Sequence, residues 1–315
     1  MNQSVSLFPA QLASANNVQY DVSLRALNTF GIEAKAHAYL AVQSMADLQL
    51  AKTWLAEPEH AQLPFLVLGG GSNLVLRADF PGLVLHMCAQ GIGVVGEDQE
   101  CVYVQAAAGT SWHSLVQWSL QQGFGGLENL SLIPGTVGAA PIQNIGAYGV
   151  ELKDCFESAR VFDWHTGDVL EFDRAACAFG YRDSVFKHAW RERGLILEVC
   201  FALPKRWQAQ LAYAELAKHF EQLGVAPTAQ QVSEAIIAIR QRKLPDPAQL
   251  GNAGSFFKNP IVSTEQRNVL LAAQPQLVSY AQADGSFKLA AGWLIEKAGW
   301  KGQSLGRAGV YAQQA

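Results

Sequence analysis

Several short stretches of this 315-residue chain hold residue types and spacings that could do chemistry. The first is Gly69-Gly70-Gly71-Ser72-Asn73, directly after the apolar run Phe65-Leu66-Val67-Leu68. Consecutive glycines reach positive φ, so several N–H groups can converge on one anionic oxygen, typically of a phosphate. Ser72 and Asn73 would add side-chain donors. The same residues could also form only a tight turn. Leu74 stands where a dinucleotide fingerprint needs its third glycine, and no Gly-Lys-Ser/Thr of a P-loop follows. The second stretch is 123–149, rich in glycine yet apolar between the glycines. Pro134-Gly135, Gly138, Gln143-Asn144 and Gly146-Ala147-Tyr148-Gly149 set many amides beside few bulky side chains. That composition suits a flat ring system and a pyrophosphate lying along the chain; an ordered loop with no ligand is the alternative.

Two further stretches offer side chains rather than backbone. In Phe179-Gly180-Tyr181-Arg182-Asp183-Ser184, the arginine could fork onto a carboxylate or close a surface ion pair. In Gly251-Asn252-Ala253-Gly254-Ser255-Phe256-Phe257-Lys258-Asn259-Pro260, a serine between glycine and aromatics suggests a hydroxyl presented in an apolar pocket. It lacks the GxSxG of a hydrolase elbow. It could donate a proton if cations or a reactive carbanion assist, because a hydroxyl alone is a poor acid. A plain loop serine is the other reading. Arg240, Arg242 and Lys243 make a compact basic cluster, suited to one phosphate or carboxylate. His113, His188 and His219 show no obvious partner, and the tryptophans, Trp293 and Trp300 among them, read as core.

The elements that must position these residues can be read from periodicity. Phe65–Leu68, Leu83–Leu85, Val102–Val104, Ser158–Phe162, Val169–Phe172 and Leu195–Leu203 read as strands. Ser44 can cap a helix over Met45–Leu55, and Thr110 can start one carrying Trp112, Leu115, Val116 and Leu120, stopped by Gly123. Thr228 and Gln231 form a capping box before Val232, Ile236 and Ile239. Leu244-Pro245-Asp246-Pro247 ends that helix and marks a boundary. A last helix is expected over Leu289–Ala298, and residues 1–18 read as a loose tail. The β–α–β alternation predicts an α+β fold with α/β layers.

Bulk properties narrow the function class. Half of the residues are apolar and the formal net charge is −4, without a dense basic run, so nucleic acid is not the expected partner. No apolar stretch approaches the roughly 20 residues of a membrane span, and the N-terminus lacks a basic start followed by an apolar core. The five cysteines, Cys88, Cys101, Cys155, Cys177 and Cys200, contain no CxxC pair or zinc-ligand spacing. Free thiols, no metal and a cytoplasmic location are the reading, with no membrane partner.

Together these segments resemble the UDP-N-acetylenolpyruvoylglucosamine reductase family, the FAD enzymes of peptidoglycan precursor synthesis. The matching stretches occur in family order: Asn28–Gly31, Gly69–Asn73, Gly126–Asn129, Ile133–Gly138, Pro141–Gly149, Phe179–His188, Lys243–Pro247, Asn252–Pro260, Gln282–Leu294 and Gln313–Ala315. Arg206–Tyr213 is similar to the substrate-covering loop of the type I branch. The resemblance implies an FAD-binding domain pair of the vanillyl-alcohol-oxidase/PCMH type plus a C-terminal α+β substrate domain. The expected bounds are 1–82, 83–240 with the substrate loop, and 241–315. It implies bound FAD and NADPH as hydride donor, a UDP-sugar enol ether as substrate, and a monomer. FAD would be held by Gly69, Gly70, Gly71, Ser72, Asn73, Ile133, Pro134, Gly135, Gly138, Ala139, Ile142, Ile145 and Gly146. The enolpyruvyl group would be reduced with Arg182 stabilising the developing negative charge and Ser255 delivering the proton. Tyr148, Tyr213, Arg240, Lys243, Asn259, Tyr280 and Gln314 match positions that line the substrate site.

The family's third catalytic group is a glutamate in a Leu-Glu-Pro-Glu-like segment, a motif this sequence does not contain before its last residue, Ala315. The expectation is a C-terminally truncated chain that binds FAD but turns over poorly unless that segment is restored. Equal turnover with and without a family-like extension would refute this. Two rivals stand beside the reductase: a flavin oxidase of the same fold, and a flavin binder without activity.

Overall fold

A computed structural model of the chain describes residues 6–10, 17–224 and 226–315. The chain divides into two compact units, Met1–Ile239 and Arg240–Ala315. The first unit opens with four strands, β1 (Gln19–Ser23), β2 (Lys35–Val42), β3 (Phe65–Leu68) and β4 (Phe80–Met87), ordered β1-β2-β4-β3. β2, β4 and β3 run parallel, with Leu68 opposite His86, and β1 lies antiparallel on the β2 edge. A parallel pair needs a crossover, and α1 (Met45–Ala56) supplies it. Its start is fixed by Asp47, whose carboxylate accepts the N–H of Ser44 at 2.8 Å. Its Leu48, Ala51 and Trp54 bury against Leu40, Val42, Leu83, Leu85 and Met87.

The rest of the first unit is built on an antiparallel sheet. β5 (Ile92–Glu97) and β6 (Cys101–Ala107) are followed by α2 (Trp112–Gln121) and a short hairpin, β7 (Gly146–Ala147) with β8 (Val150–Glu151). Then come β9 (Phe156–Asp163), β10 (Val169–Asp173), the one-turn α3 (Arg174–Cys177) and β11 (Gly194–Pro204). The sheet order is β10-β9-β11-β6-β5. Ala107, Ala108, Phe162, Leu195 and Leu197 join the core under α1, so the two sheets share buried apolar surface. A second core, with Trp112, Leu115, Leu127, Phe156 and Phe201, packs α2 and the glycine-rich segment onto the other side of the sheet. Asp163 closes an ion pair with Arg193 at 2.6 Å, and that guanidinium holds its carboxyl down at about 2.

Two helices follow, the second running on to Lys243. α4 (Ala214–Leu223) and α5 (Ala229–Lys243) bury Leu216, Phe220, Val232, Ile236 and Ile239 together. The Thr228–Gln231 box forms as expected, Gln231 N–H donating to Thr228 Oγ1 at 3.2 Å and Thr228 N–H to Gln231 Oε1 at 2.9 Å. The second unit holds β12 (Ile261–Val262), α6 (Thr264–Ala273), β13 (Ser279–Ala281), β14 (Phe287–Leu289), α7 (Ala291–Lys297), β15 (Ser304–Leu305) and β16 (Ala308–Gly309). Its sheet order is β12-β14-β13, with β15–β16 a separate hairpin.

Several expectations are corrected. The last helix begins at Ala291, because Leu289 pairs with Ser279 in β14–β13. Of the expected tail, residues 1–5 and 11–16 lie outside the described residues, but Ser6–Ala10 is docked. Phe8 is buried, its N–H donates to Glu198 Oε1, and Pro9 O accepts the N–H of Met45 at 2.9 Å. His113 and His188 do have partners: Nδ1 of His113 accepts the N–H of Leu132 at 3.0 Å, and His188 pairs with Asp183 at 2.8 Å. Trp300 is about half exposed rather than core, whereas Trp54 and Trp112 are buried. All five cysteines are free, and burial pushes the Cys155, Cys177 and Cys200 thiols up to about 12.

Candidate functional site

Two glycine loops of the first unit face each other with no room for side chains between them. β3 delivers Gly69 to the carboxyl end of the parallel strands, where open α/β sheets bind ligands. A Cβ on Gly70 would come 2.9 Å from the Cα of Gly135, and one on Gly69 would come 2.6 Å from Thr136 Oγ1. A Cβ on Gly138 would meet Ala108 Cβ at 2.6 Å. Gly71 has φ +58, and a Cβ there would run into the carbonyl of Leu27. The loops are also stitched directly, Ser72 Oγ donating to Pro134 O at 3.2 Å and Asn73 Nδ2 to Gln143 Oε1 at 3.2 Å. Among the described residues, the N–H groups of Gly70, Gly71, Ser72, Asn73, Gly135 and Thr136 donate to no protein acceptor. The hydroxyls of Thr29 and Thr136 are buried without a partner beside them. Clustered spare donors of this kind are what an anionic ligand needs.

The Tyr-Arg-Asp-Ser segment docks onto the far end of the second loop. Ser184 Oγ donates to Ile142 O at 2.7 Å, and Asn144 Nδ2 donates to Gly180 O at 3.0 Å. Asn144 is buried with φ +43, and Lys153 N–H donates to its Oδ1 at 3.0 Å. Arg182 itself takes φ +55, an uncommon region for a residue with a Cβ. Its Nη2 donates to the carbonyl of Gly146, and its guanidinium lies 5.3 Å from the Tyr181 ring centre. Gly146 has no space for a side chain there, since a Cβ would come 2.9 Å from Arg182 Nη1. Lys187 Nζ donates to Arg182 O at 3.0 Å. Asp183 is paired to His188, which holds its carboxyl below the ordinary carboxylate range. Arg182 therefore forms no ion pair among the described residues, and its charge is held by a carbonyl and a ring.

Tyr148, with φ +51, sits beyond Gly146 and packs edge-on against Tyr213 at 4.9 Å. Of the remaining expected positions, Ile145 is buried in the core under the second loop, while Ile133 and Ile142 are half-buried against it and Ala139 is exposed. Arg240, Arg242 and Lys243 form the last turn of α5, where cations also suit the helix dipole.

Within the second unit, Ser255 stands on an exposed loop rather than in an apolar pocket, beside Phe256 and Phe257, which are 76% and 62% exposed. Asn252 shapes that loop: its Nδ2 donates to Pro245 O and Leu250 O, and its Oδ1 accepts the N–H of Gly254 at 3.0 Å. Asn259 Oδ1 accepts the N–H of Ala291 at 2.9 Å, at the first residue of α7. Tyr280 is exposed on β13, and Gln314 and Ala315 run past Gly292 in the first turn of α7. Sequence reasoning placed Thr29, Asn129, Thr136 and Asn144 within the matching stretches but gave none of them a role, because a buried hydroxyl or amide leaves no periodic signal.

A cradle of this kind defines a nucleotide-cofactor protein, and the comparisons give the class. Residues 36–173 match the family model described as FAD binding domain, and residues 246–315 match UDP-N-acetylenolpyruvoylglucosamine reductase, C-terminal domain. The protein is thus an FAD-binding flavoprotein with a C-terminal α+β domain. The reductase of Ralstonia nicotianae is 56% identical over 292 residues, 91% of this chain and 84% of that protein. That of Paraburkholderia xenovorans is 52% identical over 295 residues, 93% of this chain and 84% of that protein. Both carry the name UDP-N-acetylenolpyruvoylglucosamine reductase. A crystal structure of the Thermus caldophilus reductase shares the fold, with a TM-score of 0.63 at 24% identity over 95% of this chain and 86% of that one. The chain belongs to the UDP-N-acetylenolpyruvoylglucosamine reductase family. The residues present fit FAD: spare amides and partnerless hydroxyls lie where the chain packs so closely that a Cβ at Gly69, Gly70, Gly71 or Gly138 would clash with a facing segment.

Proposed function

We propose that this chain reduces the enolpyruvyl ether of UDP-N-acetylglucosamine enolpyruvate to UDP-N-acetylmuramate, with FAD bound and NADPH as reductant. The observation that carries the reading is identity above one half, over nine-tenths of the chain, to reductases of that name. FAD held there would supply the relay of hydride from NADPH to the enol ether. The amides of Gly70, Gly71, Ser72 and Asn73, with those of Gly135 and Thr136, hold its diphosphate. Gly138, Ala139, Ile142, Ile145 and Gly146 line the ring. Arg182 meets the negative charge that develops on the carbon beside the substrate carboxylate. A fixed cation is effective there because its geometry is set before the charge appears, and such donors are worth about 3–4 kcal/mol. The Gly146 carbonyl and the Tyr181 ring aim the guanidinium without neutralising it, which supports this role. Ser255 delivers the proton to that carbon. Arg240 and Lys243 take the UDP diphosphate, and Tyr148, Tyr213, Asn259, Tyr280 and Gln314 line the sugar nucleotide.

The reading includes a monomer in the cytoplasm, in keeping with five free thiols and a nucleotide-linked substrate. Among the described residues, no helix is long and apolar enough to cross a membrane. The test is NADPH oxidation that depends on added enolpyruvyl sugar, with a product heavier by two hydrogens, measured on this chain and on one carrying a family-like C-terminal extension. NADPH oxidation in neither, or oxidation indifferent to the sugar, would refute it.

A further inference from the structure

The segment between β11 and α4 is bolted down from below by two adjacent buried side chains. Glu128 is 2% exposed and Asn129 is fully buried, both in a one-turn 3-10 helix. Glu128 Oε1 accepts Trp207 Nε1–H at 2.8 Å, and its Oε2 accepts the N–H of Gly126 at 2.6 Å. The Trp207 indole packs against Gly125, where any Cβ would overlap the ring. Asn129 Nδ2 spends its two protons on two carbonyls from different segments, Tyr148 O and Gln210 O, each at 2.9 Å. Beyond these clips, Gly149 has φ +86 and a Cβ there would approach Ala212 Cβ at 3.3 Å, and Tyr148 and Tyr213 meet edge-on.

We propose that Glu128 and Asn129 are positioning residues that clamp 205–213 to the glycine-rich segment, so that Tyr148 and Tyr213 form one wall of the substrate site. This rests on the reductase reading, in which both tyrosines face the substrate. The clamp is specific in its chemistry. A carboxylate grips one indole N–H, and one amide ties the backbone of Tyr148, itself held at positive φ, to the backbone three residues before Tyr213. Asn129 Oδ1 is buried with no partner among the described residues, so the side chain's hydrogen bonding is carried by its two Nδ2 protons. The amide is kept for its two donors.

Neither side chain hydrogen-bonds to Gly69–Asn73 or Gly135–Gly138 among the described residues, so cofactor loading and its reduction should be largely spared. Asn129→Ala removes both donors. Asn129→Asp keeps the shape but sets a carboxylate against two carbonyl oxygens. Trp207→Phe keeps a ring on Gly125 and deletes the donation to Glu128. The probe is UDP-N-acetylglucosamine enolpyruvate, titrated into the FAD-loaded oxidised protein and followed by the flavin spectrum, which needs no turnover. Each net hydrogen bond contributes about 0.5–1.5 kcal/mol, so the sugar's dissociation constant should rise about tenfold in Asn129→Ala and Asn129→Asp, and by a smaller factor in Trp207→Phe. FAD content and the rate of flavin reduction by NADPH should stay near the parent's, while the melting temperature falls by what the loss of two buried hydrogen bonds costs. Trypsin should cut after Lys205 or Arg206 sooner in the variants, and the sugar should protect the parent better than either Asn129 variant. Unchanged sugar affinity in folded, FAD-loaded variants overturns the proposal, as does an equal loss in sugar binding and flavin reduction. A parent that binds FAD but never perturbs its spectrum with the sugar refutes the reductase reading instead.

Discussion

Two glycine-bearing loops of this molecule need glycine for opposite reasons. In the cradle, Gly69, Gly70, Gly71 and Gly138 are there because backbone or side chains of the facing segments occupy the space a Cβ would take. In the loop that carries Ser255, Gly254 has φ +68 and nothing within 4 Å of its absent Cβ. The first is a demand of packing, the second only of dihedral. The cradle is preorganised by contacts around each glycine, while the serine loop is held largely by one side chain, Asn252. Binding is thus built on crowded backbone, and the proposed proton donor on an open loop.

The largest expected effect tests the crowded side of this contrast. Gly71→Ala must place a side chain at φ +58 and against Leu27 O, costing about 3 kcal/mol, and the purified protein should come away without flavin. A yellow Gly71→Ala variant of parental stability would break the comparison. Next is Ser255→Ala, where reduction of the enolpyruvyl sugar should fall about 10²–10⁴-fold while flavin reduction by NADPH stays nearly intact. If both half-reactions fall together, Ser255 is not the proton donor. Arg182→Ala should slow the same second half-reaction about 10²–10³-fold and weaken sugar binding, again without loss of FAD. The smallest effect is expected of Gly254→Ala, about 1 kcal/mol of strain with flavin content unchanged, read by thermal melting and absorbance. A loss as large as that of Gly71→Ala would show that openness and crowding do not separate the two loops.

Much of this was legible in the sequence where the signal is local. Phe65–Leu68 is a strand in both readings because four apolar residues end at a glycine run, and Val169–Phe172 and Leu195–Leu203 are strands in both because they are short runs rich in β-branched and aromatic residues. Ser44 and Thr228 announce helix starts through reciprocal bonds three residues away. What depends on distant partners was not legible. Ser6–Ala10 docks through Glu198, with Phe8 and Glu198 separated by 190 residues, so its sequence reads as tail. Leu289 fits a helical period, yet pairing with Ser279 makes it strand. In the site, the glycines were visible because their absence of side chain is written in the sequence. The clips were not, because nothing near Asn129 signals that its amide reaches both Tyr148 and Gln210.

The central claim is that the crowded glycine cradle of the first unit binds FAD. Its most direct test is flavin absorbance and fluorescence of the purified chain while FAD is titrated in, with Gly71→Ala alongside. The account predicts saturable, stoichiometric binding by the parent, with a flavin spectrum bleached on adding NADPH, and none by the variant. A parent that stays colourless in excess FAD, or a variant that binds as well as the parent, would contradict it.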